Sequence, residues 1–171
     1  MSLFLAALLA APAPVQITRD DAEMRRVTLT AHNRERSIKG IAPLIWSDTL
    51  ATDALVHAQR MARTGQFEHS KGRVNQGENL WMGTRDRYPY LAMSGSWIGE
   101  KRYYVHAPSP DNSSTGNWAD VGHYTQVIWA TTTHIGCALA SNATHDYFVC
   151  RYSPPGNYRG RYAYEHSETP R

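Results

Sequence analysis

At 171 residues and 42% hydrophobic, the chain has the length of one domain able to bury a core without many covalent staples. Its 18 basic and 15 acidic residues give a net charge of +3 and are scattered, with no Lys/Arg run to track a phosphate backbone, so no nucleic acid partner is expected. No stretch approaches ~18 uninterrupted apolar residues, which argues against a transmembrane segment.

In chain order, Leu3-Phe4-Leu5-Ala6-Ala7-Leu8-Leu9-Ala10-Ala11-Pro12-Ala13 has the length and apolarity of a signal-peptide core followed by small residues. The basic residue that usually precedes such a run is missing. The expectation is a signal peptide over 1–14, a domain over 15–160 and an extracellular destination, or the periplasm in a Gram-negative bacterium. Arg19 to Ile38 carries Met24, Val27, Ala31 and Ile38 at helical spacing, with Gly40 placed to end the helix. Pro43-Leu44-Ile45-Trp46 is a short extended run, and Ser47 is an N-cap for a second helix with Leu50, Ala54, Ala58 and Met61 on one side, stopped by Gly65. Gln66 to Asn79 shows neither period and is expected as a loop. Pro89 opens a third helix through Lys101, and Val105 to Asp120, rich in Pro, Asn, Ser and Gly, is expected to be mostly loop.

Gly122-His123-Tyr124-Thr125-Gln126-Val127-Ile128-Trp129 is ambiguous between helix and strand by pattern. Ile135 to Tyr152 reads as a hairpin with Asn142-Ala143-Thr144-His145 at its tip, which sets 141 against 146, 139 against 148 and 137 against 150. Cys137 and Cys150 are the two cysteines of the chain, and this register makes them a cross-strand disulfide after export; in a reducing cytoplasm they would be buried thiols. Residues 161–171 are expected to form a mobile tail. Asn112-Ser113-Ser114 and Asn142-Ala143-Thr144 fit the N-glycosylation sequon in expected surface loops.

The Gly122–Trp129 stretch, Ile135-Gly136-Cys137 and Tyr147-Phe148-Val149-Cys150-Arg151-Tyr152-Ser153-Pro154-Pro155-Gly156-Asn157-Tyr158 together resemble the paired signatures of the CAP superfamily: cysteine-rich secretory proteins, antigen 5 allergens and plant pathogenesis-related proteins of group one. His32-Asn33-Arg34-Glu35-Arg36 resembles the family's His-Asn-x-x-Arg, and His32 is read as structural. The resemblance, running from His32 to Tyr158, implies an α+β fold, a three-layer α-β-α sandwich with a small antiparallel sheet, and a short helix at His123. It also implies that His69, Glu78, Glu100 and His123 face one central cavity.

Two neutral imidazoles with water suit zinc or another divalent cation, and a glutamate on the far ring nitrogen fixes the tautomer. The expected metal ligands are therefore His69 and His123, with Glu78 and Glu100 orienting them or acting on a bound water. Affinity is expected to fall as pH drops through about 6, since the neutral imidazole ligates. The four could equally form an ion network bracing the core. His57, His106, His134, His145 and His166 show no partner by spacing.

A metal-dependent, protease-like hydrolase is one reading, with Glu78 and Glu100 the catalytic candidates. The chain has no His-Glu-x-x-His zincin motif and no Gly-x-Ser-x-Gly elbow. The favoured reading is a secreted binding module for lipid, sterol, protein or cell-wall ligands. Trp81, Trp97, Trp118, Trp129 and the tyrosines suit either a groove or a core.

Overall fold

The computed structural model describes residues 20–72 and 75–165. The segment expected as a signal peptide, 1–14, and residues 166–171 of the expected tail lie outside the described residues. α1 (Asp21–Ile38) starts where the Asp20 carboxylate accepts from Glu23 N at 2.7 Å, and Asp21 and Glu23 place negative charge on its first turn. β1 (Ile45–Trp46) leads directly into α2 (Asp48–Thr64), which Ser47 caps through Leu50 N. Gly65 ends α2 at φ 72°, a left-handed conformation that a Cβ would disfavour.

β2 (Gly77–Thr84), α3 (Tyr90–Gly99), a short 3-10 turn (Glu100–Tyr103), α4 (Gly122–Val127), β3 (His134–Ser141) and β4 (His145–Ser153) follow. The sheet order is β1-β3-β4-β2, with β1 parallel to β3 and the other pairs antiparallel. α2 covers one face, where Ala54, Ala58 and Met61 pack on Leu80, Ala138, Tyr147 and Val149. α1 and α3 cover the other, where Met24, Tyr90, Met93 and Trp97 pack on Ile135, Cys137, Phe148, Cys150 and Tyr152. This is an α-β-α sandwich, and each fully buried large apolar side chain in it contributes about 1.5–3 kcal/mol.

The hairpin register is the one the sequence implies, with Ser141 opposite Asp146, Leu139 opposite Phe148 and Cys137 disulfide-bonded to Cys150. Four expectations need correcting. The sheet is mixed rather than purely antiparallel, because β1 enters parallel to β3. The loop expected over Gln66–Asn79 stops at Gln76, since β2 already begins at Gly77. Residues 161–165 do not start a mobile tail: Ala163 and Tyr164 are buried against Tyr124, Val127, Ile128 and Trp129, and Ala130 N donates to the Ala163 carbonyl at 2.7 Å. Asn112, expected on a surface loop, is fully buried, which leaves no room for a glycan in the folded state. Asn142 is partly exposed and its Oδ1 accepts from Thr144 N and His145 N across the hairpin tip. Trp97 and Trp129 are core residues, whereas Trp118 is 36% exposed.

Candidate functional site

Glu78, the second residue of β2, lies directly opposite Arg151 of β4, so strand pairing alone sets a carboxylate against a guanidinium. Arg151 Nη2 is 3.0 Å from Glu78 Oε2. The loop that leaves Gly65 brings His69 and Ser70 over the same carboxylate: His69 Nδ1 lies 2.7 Å from Oε1, Ser70 N donates to Oε1 at 3.0 Å, and Ser70 Oγ to Oε2 at 2.9 Å. The Glu78 side chain is fully buried, whereas that of His69 is 54% exposed. Burial by itself would raise the Glu78 pKa. The His69 bond, the Arg151 charge and the two Ser70 bonds outweigh it and hold the carboxyl down at about 2.

The second pair is built at a helix start. Glu100 follows α3, and its Oε2 accepts from His123 N and Tyr124 N, both at 3.0 Å, in the first turn of α4. Its Oε1 lies 2.6 Å from His123 Nδ1. The carboxylate thus satisfies backbone donors that a helix start leaves open and orients the imidazole as well. The His123 ring stacks on the buried Trp97, centroids 6.1 Å apart and planes 20° apart, and Trp97 stacks in turn on Phe148. Trp97 is itself fixed by its indole bond to the Leu80 carbonyl at 3.0 Å.

The four candidates therefore resolve into two histidine–glutamate pairs, adjacent through β2. Asn79, next to Glu78, donates from Nδ2 to the His123 carbonyl at 3.1 Å and to the Tyr152 hydroxyl at 3.1 Å. α4 is held from the other side by the Pro155-Gly156-Asn157 segment. Asn157 accepts from Thr125 Oγ1 and donates to the Gly122 carbonyl, and Gly156 N donates to Gln126 Oε1. These bonds explain physically why the Gly-His-Tyr-Thr-Gln and Pro-Gly-Asn segments occur together.

In both pairs the carboxylate accepts from Nδ1, which leaves Nε2 as the ring atom available to another partner. Among the described residues no hydrogen bond engages either Nε2. The donor set the two pairs offer is thus two imidazole nitrogens. It does not fit a closed structural zinc site, since no group of three His, Cys, Asp or Glu side chains among the described residues is disposed to hold a metal ion.

Two members of the cluster escape a reading by spacing. His57 of α2 is buried, with Nε2 2.9 Å from the Glu68 carbonyl and 3.9 Å from Glu78 Oε2. Arg151 stands inside the apolar run Tyr147–Tyr152, and a lone charge in a buried strand was the available signal. Arg151, His57, Ser70 and Gln76 line a cavity of about 560 Å³ on the α2 side of the sheet.

Comparison with known proteins is consistent over most of the chain. The model of the family described as "Cysteine-rich secretory protein family" matches residues 29–152. Pathogenesis-related protein 1A of Nicotiana tabacum is 38% identical over 137 residues, covering 80% of this chain and 78% of that protein. Pathogenesis-related protein PR-1 of Medicago truncatula is 33% identical, covering 80% and 76%. Among solved structures, the crystal structure of NaASP2 with Zn2+ superposes with a TM-score of 0.74 at 25% identity, covering 85% of this chain and 87% of that one. The hookworm platelet inhibitor, at 19% identity and a TM-score of 0.68, shares the fold over 88% of this chain and 80% of its own.

Proposed function

The chain belongs to the cysteine-rich secretory protein (CAP) family, and on that premise we propose an exported binding module with an exchangeable divalent-cation site at its paired histidines. The observation that carries this reading is the orientation of His69 and His123, each held through Nδ1 by a carboxylate with Nε2 left for a ligand. His69 and His123 would hold the ion, zinc or another divalent cation, and Glu78 and Glu100 would keep both rings in the ligating tautomer. A bound cation supplies positive charge that draws an anionic group of a lipid, protein or cell-wall ligand. A sterol would use the apolar surface instead.

The state of Glu78 counts against that residue as the base of a hydrolase. A buried carboxylate held at about 2 by His69, Arg151 and Ser70 is a poor general base near neutral pH, where an effective base titrates close to the working pH. Export is supported by the leader-like start, by the disulfide, and by the secretory family to which the chain belongs. Among the described residues no helix is long and apolar enough to cross a membrane.

Calorimetric titration with zinc chloride tests the cation site. Wild type is expected to bind, and His69→Ala and His123→Ala are each expected to lose the heat while staying folded by near-ultraviolet circular dichroism, at a lower melting temperature because each ring also bonds a carboxylate. Equal binding by all three proteins would sink the assignment. Casein incubated with the zinc-loaded protein is expected to stay intact; cleavage that disappears in His123→Ala would establish the hydrolase instead.

A further inference from the structure

β1 covers the outer edge of β3 only at its start: Ile45 and Trp46 pair with His134 and Ile135, and the chain then departs at Ser47 into α2. Cys137 and Cys150 oppose each other with Cα atoms 4.1 Å apart, the close spacing of a non-hydrogen-bonded antiparallel pair. Alternation along β3 therefore turns the N–H and C=O of Cys137, Leu139 and Ser141 away from β4. Ile135 shows the same orientation, its carbonyl accepting Ser47 N–H at 2.8 Å. Past Ile135 no strand among the described residues takes up these outward groups, although Cys137 is fully buried. Backbone donors and acceptors so placed call for a partner, and an open edge is a template for one.

Cys137, Ala138 and Leu139 floor a groove of about 460 Å³ between the N-terminal parts of α1 and α2, walled by Ala22, Arg25, Trp46, Asp48 and Leu55. Its end is fixed by the Trp46 indole bond to Asp48 at 3.0 Å and by the Arg25 guanidinium 5.7 Å over the Trp46 ring. Asp21 and Asp48 against the single Arg25 leave the rim net negative. From Cys137 to Ser141 the edge spans about 13 to 14 Å between Cα atoms, alongside which about five extended residues fit.

We propose that this groove binds an extended peptide segment of a partner protein as an added strand of the sheet, in line with β1. The peptide bonds main chain to main chain with Leu139 and Ser141, past the fully buried Cys137. It lays alternate apolar side chains against Leu55 and Leu139 and sets a basic residue at the Asp21 and Asp48 rim. Main-chain bonds supply affinity in such an arrangement, and the walls supply selectivity.

The test follows amide hydrogen exchange in the isotope-labelled full chain with a blocked synthetic peptide, Lys-Val-Thr-Ile-Thr-Val, as probe. The expected result is at least about tenfold added protection at the amides of Leu139 and Ser141, with Ala138 and Ala140, already bonded to β4, unchanged. A peptide methylated on alternate backbone nitrogens should not bind. Leu55→Lys, at a side chain 39% exposed, should weaken binding about tenfold by repelling the basic peptide while leaving the melting temperature unchanged. Equal binding of the methylated peptide, or protection at no β3 amide, overturns the proposal. So does protection already present without the probe and lost on deleting residues 15–19, which would mean that the chain fills its own groove.

Discussion

His32 is fully buried in α1, with Nδ1 2.8 Å from the Thr28 carbonyl and Nε2 2.9 Å from the Tyr152 hydroxyl. Burial, opposed by the Thr28 bond and reinforced by the Arg36 charge, lowers its pKa from 6.5 to about 4. The ring is thus neutral in the fold and takes up a proton more readily in the unfolded chain. Its contribution to stability is complete above pH 6.5 and is lost as pH falls from 6.5 toward 4, by about 3 kcal/mol in all. Denaturant unfolding between pH 7.5 and 4 should show this slope in wild type and a shallower one in His32→Gln; an unchanged slope would assign the proton elsewhere. Glu78 acts in a lower window. Its depressed carboxyl contributes stability that is intact above pH 4.5 and disappears only toward pH 2. The structural role of His32 was legible from the resemblance of its segment to the family's His-Asn-x-x-Arg. Its Tyr152 partner was not, because 120 residues separate them and no local pattern records such a contact.

At the scale of elements, the caps and stops were legible because they are short-range chemistry. Ser47 bonds Leu50 N three residues on, and Gly65 supplies the conformation that ends α2. β2 was not legible, for a physical reason visible in its burial. Glu78, Asn79 and Leu80 are all buried, so the alternation that marks a half-buried strand exists only from Trp81 onward. Asn79 and Glu78 tolerate that burial because each finds hydrogen-bond partners across the sheet. α2 and its cap come close to β3 at Gly136, where a Cβ would collide with Ala51 N and the Ser47 carbonyl, both backbone atoms. Gly136→Ala should therefore cost about 1–3 kcal/mol or more. Gly95→Ala, in α3 with open space at the Cβ position, should be neutral or stabilising by up to about 1 kcal/mol. Melting temperatures of the two variants check the order, and its reversal would refute the close approach.

Across the whole molecule, the last described residues act as a strap over α4. The Arg161 carbonyl accepts from Ser109 N at 2.9 Å, the Ala163 carbonyl accepts from Ala130 N, and Tyr164 is buried with only 5% of its surface exposed. A chain ending at Glu165 is expected to match the full chain in stability. One ending at Tyr158 should lose on the order of 3 kcal/mol, chiefly the burial of Tyr164 and Ala163, as read from denaturant midpoints. Equal midpoints for the two truncations would remove the strap from the account.

Sequence alone determined what neighbouring residues decide: the helix caps, the Cys137–Cys150 register and the family signatures, all governed by spacing along one chain. Tertiary structure decided which charges meet. Glu78 finds Arg151, His69 and Ser70, and His123 finds Glu100 and Trp97, because strand order and helix docking bring together side chains whose separation in sequence carries no information about distance. The same holds for the open edge of β3, which exists because β1 pairs with only its first two residues.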